Sequence, residues 1–150
     1  MTIKQAQTKA DKITDRLGMP IDRGIKKVVI GLWLNGIETT GSCQGHLRQG
    51  LPYPWVDIST PQQEKSAWKK ANALQRKQVE SLINEFHSKY NNRYPLVLDS
   101  YGRFGAFRMQ NKGAFDQDKP DKNLLARYRE VMNDFADFLI QKKKDPAQLK

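Results

Sequence analysis

The sequence predicts an α+β fold: a single domain on a mostly antiparallel sheet of about four strands, with helices on one face. Three observations lead there. Apolar residues recur at helical spacing in some stretches, while short β-branched or alternating runs occupy others. Their order, α-α-β-β-α-β-β-α, lacks the strict alternation of a parallel sheet. A chain of 150 residues suits one domain and can bury a core without disulfides.

Residues 3–17 read as a polar first helix, stopped by Gly18 with Pro20 just beyond. Ile21, Ile25, Val28, Val29 and Leu32 then predict a buried amphipathic helix over residues 21–35, although Val28, Val29 and Ile30 also suit a strand. Asn35-Gly36 supplies its stop through a left-handed cap. Residues 37–40 predict a short strand running into a Gly-Ser-Cys-Gln-Gly-His loop. Trp55, Val56, Asp57, Ile58 and Ser59 alternate as a second strand, which Pro61 ends. Trp68, Ala71, Leu74, Val79, Leu82, Ile83, Phe86 and Tyr90 form the apolar stripe of a long helix over residues 62–90. Leu96, Val97 and Leu98 open a third strand and residues 104–109 form a fourth, joined as a hairpin through Tyr101-Gly102-Arg103. Leu124, Tyr128, Val131, Met132, Phe135, Phe138 and Leu139 mark the last helix, which Asp145-Pro146 terminates.

The formal net charge is +10, with 26 basic residues against 16 acidic ones. Such an excess favours phosphate-rich partners through counterion release. Lys65, Lys69, Lys70, Arg76 and Lys77 cluster in one segment, Arg48, Arg93, Arg103 and Arg108 lie near loops and strands, and Lys142, Lys143 and Lys144 come near the end. The terminal lysines read as a solvated face. The longest apolar run, residues 28–34, falls far short of the about 20 residues that span a bilayer, so no membrane partner is expected. Residues 1–18 lack the apolar centre of a secretory signal. One cysteine cannot form an internal disulfide, so a cytoplasmic location is expected.

Residues 36–46, Gly-Ile-Glu-Thr-Thr-Gly-Ser-Cys-Gln-Gly-His, hold the single cysteine, one of two histidines and three glycines. Three chemistries compete for this stretch, beside the plain reading of a glycine-rich turn with Cys43 as a small hydrophobe. A cysteine nucleophile would need a base, for which His46 is the near candidate, and a helix straight after, which Leu-Arg-Gln-Gly-Leu-Pro-Tyr-Pro does not promise. Zinc would find Cys43 and His46 spaced as half a site, with His87 and either Asp57 or Asp99 to complete it. No second spaced Cys/His pair exists, and His87 fits an interfacial histidine beside Ile83 and Tyr90, so no metal is assigned. An anion cradle would use positive φ at Gly41 and Gly45, the hydroxyls of Thr39, Thr40 and Ser42, the His46 donor and the Arg48 cation.

The stretch IDRGIKKVVIGLWLNGIETTGSCQGHL resembles the wybutosine-synthesis tRNA methyltransferases. In that family a helix opening on Ile-Asp leads into a Thr-Thr-Ser-Ser-Cys-Ser-Gly-Arg loop. The matching positions are Ile21, Asp22, Ile25, Leu34, Asn35, Thr39, Thr40, Ser42, Cys43 and Gly45; His46 stands where the family has arginine and Gly41 where it has serine. Ser-Cys-x-Gly-His loops also resemble those of small bacterial and phage proteins. What the resemblance implies is a site at this loop, facing a nucleotide or RNA. Tyr53, Trp55, Tyr94, Tyr101 and Phe104, near Arg48, Arg93 and Arg103, are the aromatics that could stack such a ligand.

The sequence therefore predicts a protein that binds a phosphate-bearing ligand, nucleotide or RNA, at residues 39–46. Ligand-binding residues are Thr39, Thr40, Gly41, Ser42, Gly45 and Arg48, and Cys43 and His46 are the reactive pair if the protein is an enzyme. A non-catalytic structural or interaction module is the alternative. Cofactor, reaction and oligomeric state are left open.

Overall fold

The computed structural model describes residues 1–14, 18–117 and 119–144. Four α-helices and four strands follow one another in the predicted order: α1 (Ile3–Lys12), α2 (Arg23–Leu34), β1 (Thr39–Cys43), β2 (Trp55–Ile58), α3 (Lys65–Lys89), β3 (Leu96–Ser100), β4 (Phe107–Asn111) and α4 (Lys122–Lys144). The sheet order is β1-β2-β4-β3 and every pairing is antiparallel. The α+β expectation holds.

Strand alternation explains which face the helices cover. Val56, Ile58, Phe107 and Met109 are fully buried, in one cluster with Ile25, Val28 and Leu32 of α2, Val79 and Phe86 of α3, and Phe135 and Leu139 of α4. Gly31 lets α2 and α4 approach closely, because a Cβ there would sit 2.9 Å from that of Leu139. The opposite face carries Trp55, Asp57 and Arg108. Arg108 makes a two-pronged pair with Asp57 at 2.6 and 2.9 Å and lies 4.0 and 3.6 Å from the ring centroids of Trp55 and Tyr101. The Arg108 cation thus ties Trp55, Tyr101 and Asp57 together on this face, with Tyr101 still half exposed.

Several boundaries move, each for a local reason. Helix α1 stops at Lys12, since Ile13 is already extended; residues 15–17, within the expected first helix, and the expected Asp145-Pro146 stop lie outside the described residues. Asn35-Gly36 ends α2 as expected: Gly36 takes φ +79°, its N–H reaches the carbonyl of Trp33, and that of Ile37 reaches Leu32. That cap uses up Ile37, and the Glu38 N–H goes to the Gln75 side chain, so β1 starts at Thr39 and runs on to Cys43 rather than spanning residues 37–40. Glu64 caps α3 through the N–H groups of Ser66 and Ala67, which delays its start to Lys65. Gly102, Phe104 and Gly105 all take positive φ, lengthening the hairpin turn and shifting β4 to Phe107–Asn111.

On α3 the expected apolar stripe departs at Leu74, which is 61% exposed. Asn72 and Gln75 are buried instead. The Asn72 amide accepts from the Thr60 N–H at 2.7 Å and donates to the Phe104 carbonyl at 2.8 Å, tying two loops to the helix. His87 is interfacial as expected: its Nε2 accepts the Leu96 N–H at 3.0 Å, joining α3 to β3.

Candidate functional site

The site lies where β1 ends against the start of α2. Asp22 caps α2 through its backbone carbonyl, which accepts from the N–H groups of Ile25 and Lys26. Its carboxylate makes no cap to its own helix and instead accepts the Gln44 N–H at 3.1 Å. Gln44 returns the contact, its side-chain oxygen accepting the Gly24 N–H at 2.8 Å. The exchange works like a capping box between two separate elements. Glycine at position 24 leaves room for it: a Cβ there would stand 2.5 Å from the Gln44 oxygen and push that side chain aside.

Beyond Gln44 the chain turns sharply. Gly45 takes φ +85°, and a Cβ there would meet Leu125 at 2.7 Å and the backbone of Tyr53 at 2.8 Å. Arg129 of α4 donates to the carbonyls of Gln44 and Gly45 at 2.8 and 2.7 Å. The His46 N–H closes the next turn on the Leu51 carbonyl. A strand end, a helix start and an arginine thus hold three consecutive residues in fixed positions.

Three reactive side chains converge. One ligand-type atom each from Asp22, Cys43 and His46 lies within 4.8 Å of the others, and His46 Nε2 is 3.4 Å from the Asp22 carboxylate. All three are half-buried. Burial pushes the Cys43 thiol up, and the neighbouring Asp22 carboxylate adds to that; the Gly45 N–H and the Arg129 charge oppose it. This is the reverse of what activates a nucleophilic cysteine. Among the described residues, those that could hold a metal are these three. Asp57 is taken by Arg108, Asp99 accepts from Gln110 at 2.7 Å, and His87 Nε2 is taken by the Leu96 N–H, so the set with those partners does not form.

The expected binding residues separate into two groups. Thr39, Thr40, Gly41 and Ser42 lie along β1, which at about 3.3 Å per residue extends roughly 13 Å between Thr39 and Cys43. The Thr39 hydroxyl accepts the Trp33 indole N–H at 2.9 Å and serves the core. Gly41 is not among the positive-φ glycines; it lies at the β1–β2 register shift, opposite Asp57. Nor do the loop N–H groups form an anion nest, because those of Gln44, Gly45 and His46 go to Asp22, Cys43 Sγ and Leu51. Residues 39–46 are therefore a strand followed by a turn, and the turn lies at a cavity.

That cavity is an open cleft of about 480 Å³, lined by Gly45, His46, Leu47, Arg48, Leu125 and Arg129. Arg48 is exposed at its rim. Asp22, Gly24 and Arg129 were missed in the sequence reading. The Ile-Asp start of α2, present in the family resemblance, was the available signal for Asp22; Arg129, 85 positions from Gln44, carried none. The expected stacking aromatics are mostly engaged inside the protein: Tyr53 is buried, Tyr94 meets Tyr128 edge-on, and Phe104 packs on Trp68.

No protein-family model, curated protein or solved structure matches the chain. None of its described helices is long and apolar enough to cross a membrane.

Proposed function

We propose that the protein binds a phosphate-bearing ligand, a nucleotide or RNA, in the cleft beside Gly45. The observation that carries this reading is the convergence of Arg48, Arg129 and His46 on one cavity of about 480 Å³, within the size range of small-molecule sites. Arg129 spends two donors on the Gln44 and Gly45 carbonyls. Its guanidinium keeps its charge and further N–H groups for a ligand. A net charge of +10 brings polyanions to the surface, and the local resemblance of residues 21–47 to tRNA-modifying enzymes points the same way. A lone, half-buried thiol suits the reducing cytoplasm.

A second reading is a non-catalytic interaction module, favoured by the internal use of every N–H from Gln44 to His46. Binding of a short single-stranded RNA at about 150 mM salt separates the two, since screening at that ionic strength suppresses loose contacts. Arg48→Ala should weaken binding about 10- to 150-fold, the worth of one charge-assisted hydrogen bond of about 1.5–3 kcal/mol. Replacing Lys142, Lys143 and Lys144 together should weaken it less. Equal losses, or no binding by the unmodified protein, would leave the interaction module as the better account.

A further inference from the structure

We propose that Asp22, Cys43 and His46 form a three-residue site for a thiophilic divalent cation, zinc by its chemistry, with the fourth position left to water or a ligand. The donor set selects the ion. One sulfur, one imidazole nitrogen and one carboxylate oxygen suit zinc, whereas magnesium and calcium require oxygen ligands. Tetrahedral bonds of about 2.0–2.3 Å place ligand atoms about 3.3–3.5 Å apart. The Asp22 carboxylate and His46 Nε2 already stand 3.4 Å apart, and all three ligand atoms lie within 4.8 Å of one another. The remaining separation to close is at most about 1.5 Å, the difference between that spacing and a tetrahedral edge.

Backbone N–H groups orient two of the three residues as metal ligands are oriented. The Gln44 N–H holds the Asp22 carboxylate, and the Gly45 N–H points at Cys43 Sγ from 3.4 Å. The backbone between the two is clamped from α4 by Arg129. Such supporting hydrogen bonds fix ligand direction in metal sites. The ligands also come from two elements far apart in sequence, the start of α2 and the end of β1, so a bound ion would cross-link them. It would add positive charge to the wall of the cleft that His46 lines.

The proposal stands apart from nucleotide binding, because the ion is scored with no nucleic acid present. Protein stripped of metal is titrated with Zn²⁺, and separately with Co²⁺ as a spectroscopic substitute. The expected results are one zinc per chain, and a cobalt spectrum with a thiolate-to-metal charge-transfer band in the near ultraviolet. Cys43→Ser should abolish that band, and Cys43→Ser and His46→Ala should each weaken zinc binding by about tenfold or more. His87→Gln should change neither readout. The wild-type cobalt band keeps the test valid even if a variant folds poorly. Absence of that band, or zinc bound equally well by Cys43→Ser and His46→Ala, overturns the proposal.

Discussion

Substituting Gly45 by alanine probes the rigidity of the site in a single step. Two penalties apply. The residue sits at φ +85°, where a side chain costs about 1–2 kcal/mol. The new Cβ would also lie 2.7 Å from Leu125 Cδ1, 2.8 Å from the Tyr53 carbonyl carbon and 3.1 Å from the Pro54 nitrogen. Leucine can rotate away, but two backbone atoms cannot, so overpacking adds about 1–3 kcal/mol. The total is about 2–5 kcal/mol. Gly36→Ala is the matched control: φ is +79° and nothing lies within 4 Å of its Cβ, so only the first penalty applies. Urea unfolding of both variants, followed by circular dichroism, measures the difference. Gly45→Ala should cost at least about 1 kcal/mol more than Gly36→Ala, the lower bound of the overpacking penalty. Equal losses would show that the turn yields freely, and the claim of a fixed site would fall.

Asp57→Ala should destabilise the fold by about 3 kcal/mol in the same unfolding assay, since it strands the buried Arg108 between its two rings; a loss under about 1 kcal/mol would make the pair a surface one. Burial holds His87 below the ordinary imidazole range. The unfolded chain therefore takes up the proton first. Stability from this group is complete above pH about 6.5 and falls as the pH drops below it, and unfolding curves of His87→Gln should be flatter across that range. The Cys43 thiol, pushed up by burial and then by Asp22, should react slowly with iodoacetamide at neutral pH, and Asp22→Asn should speed the reaction. An unchanged rate would contradict the pairing of the two side chains.

The layer architecture was legible because periodicity carries it. Val131, Met132, Phe135, Phe138 and Leu139 recur at helical spacing and are all buried, as are Val56 and Ile58 at strand spacing. Leu74 and Asn72 show where that signal stops. The apolar residue faces solvent and the amide is buried, because loop carbonyls and N–H groups over α3 need partners that no leucine supplies. At the site, composition drew attention to one stretch, in which Cys43 and His46 converge with Asp22 while Gly45, His46 and Arg48 line one cleft. It could not show that Thr39 and Gly41 belong to a strand, nor that Asp22 and Arg129 close on the turn from elements 22 and 85 residues away from Gln44. Those contacts are made by tertiary packing, which leaves no spacing to read.

The central claim is that a phosphate-bearing ligand sits in the cleft beside Gly45. Amide chemical shifts, followed by NMR while a short single-stranded RNA or a nucleoside monophosphate is added at about 150 mM salt, test it most directly. The account predicts saturable shifts concentrated at Gly45, His46, Leu47, Arg48, Leu125 and Arg129, the residues lining the cleft. Small shifts spread over the exposed lysines of α3 and the end of α4, or none at all, would contradict it.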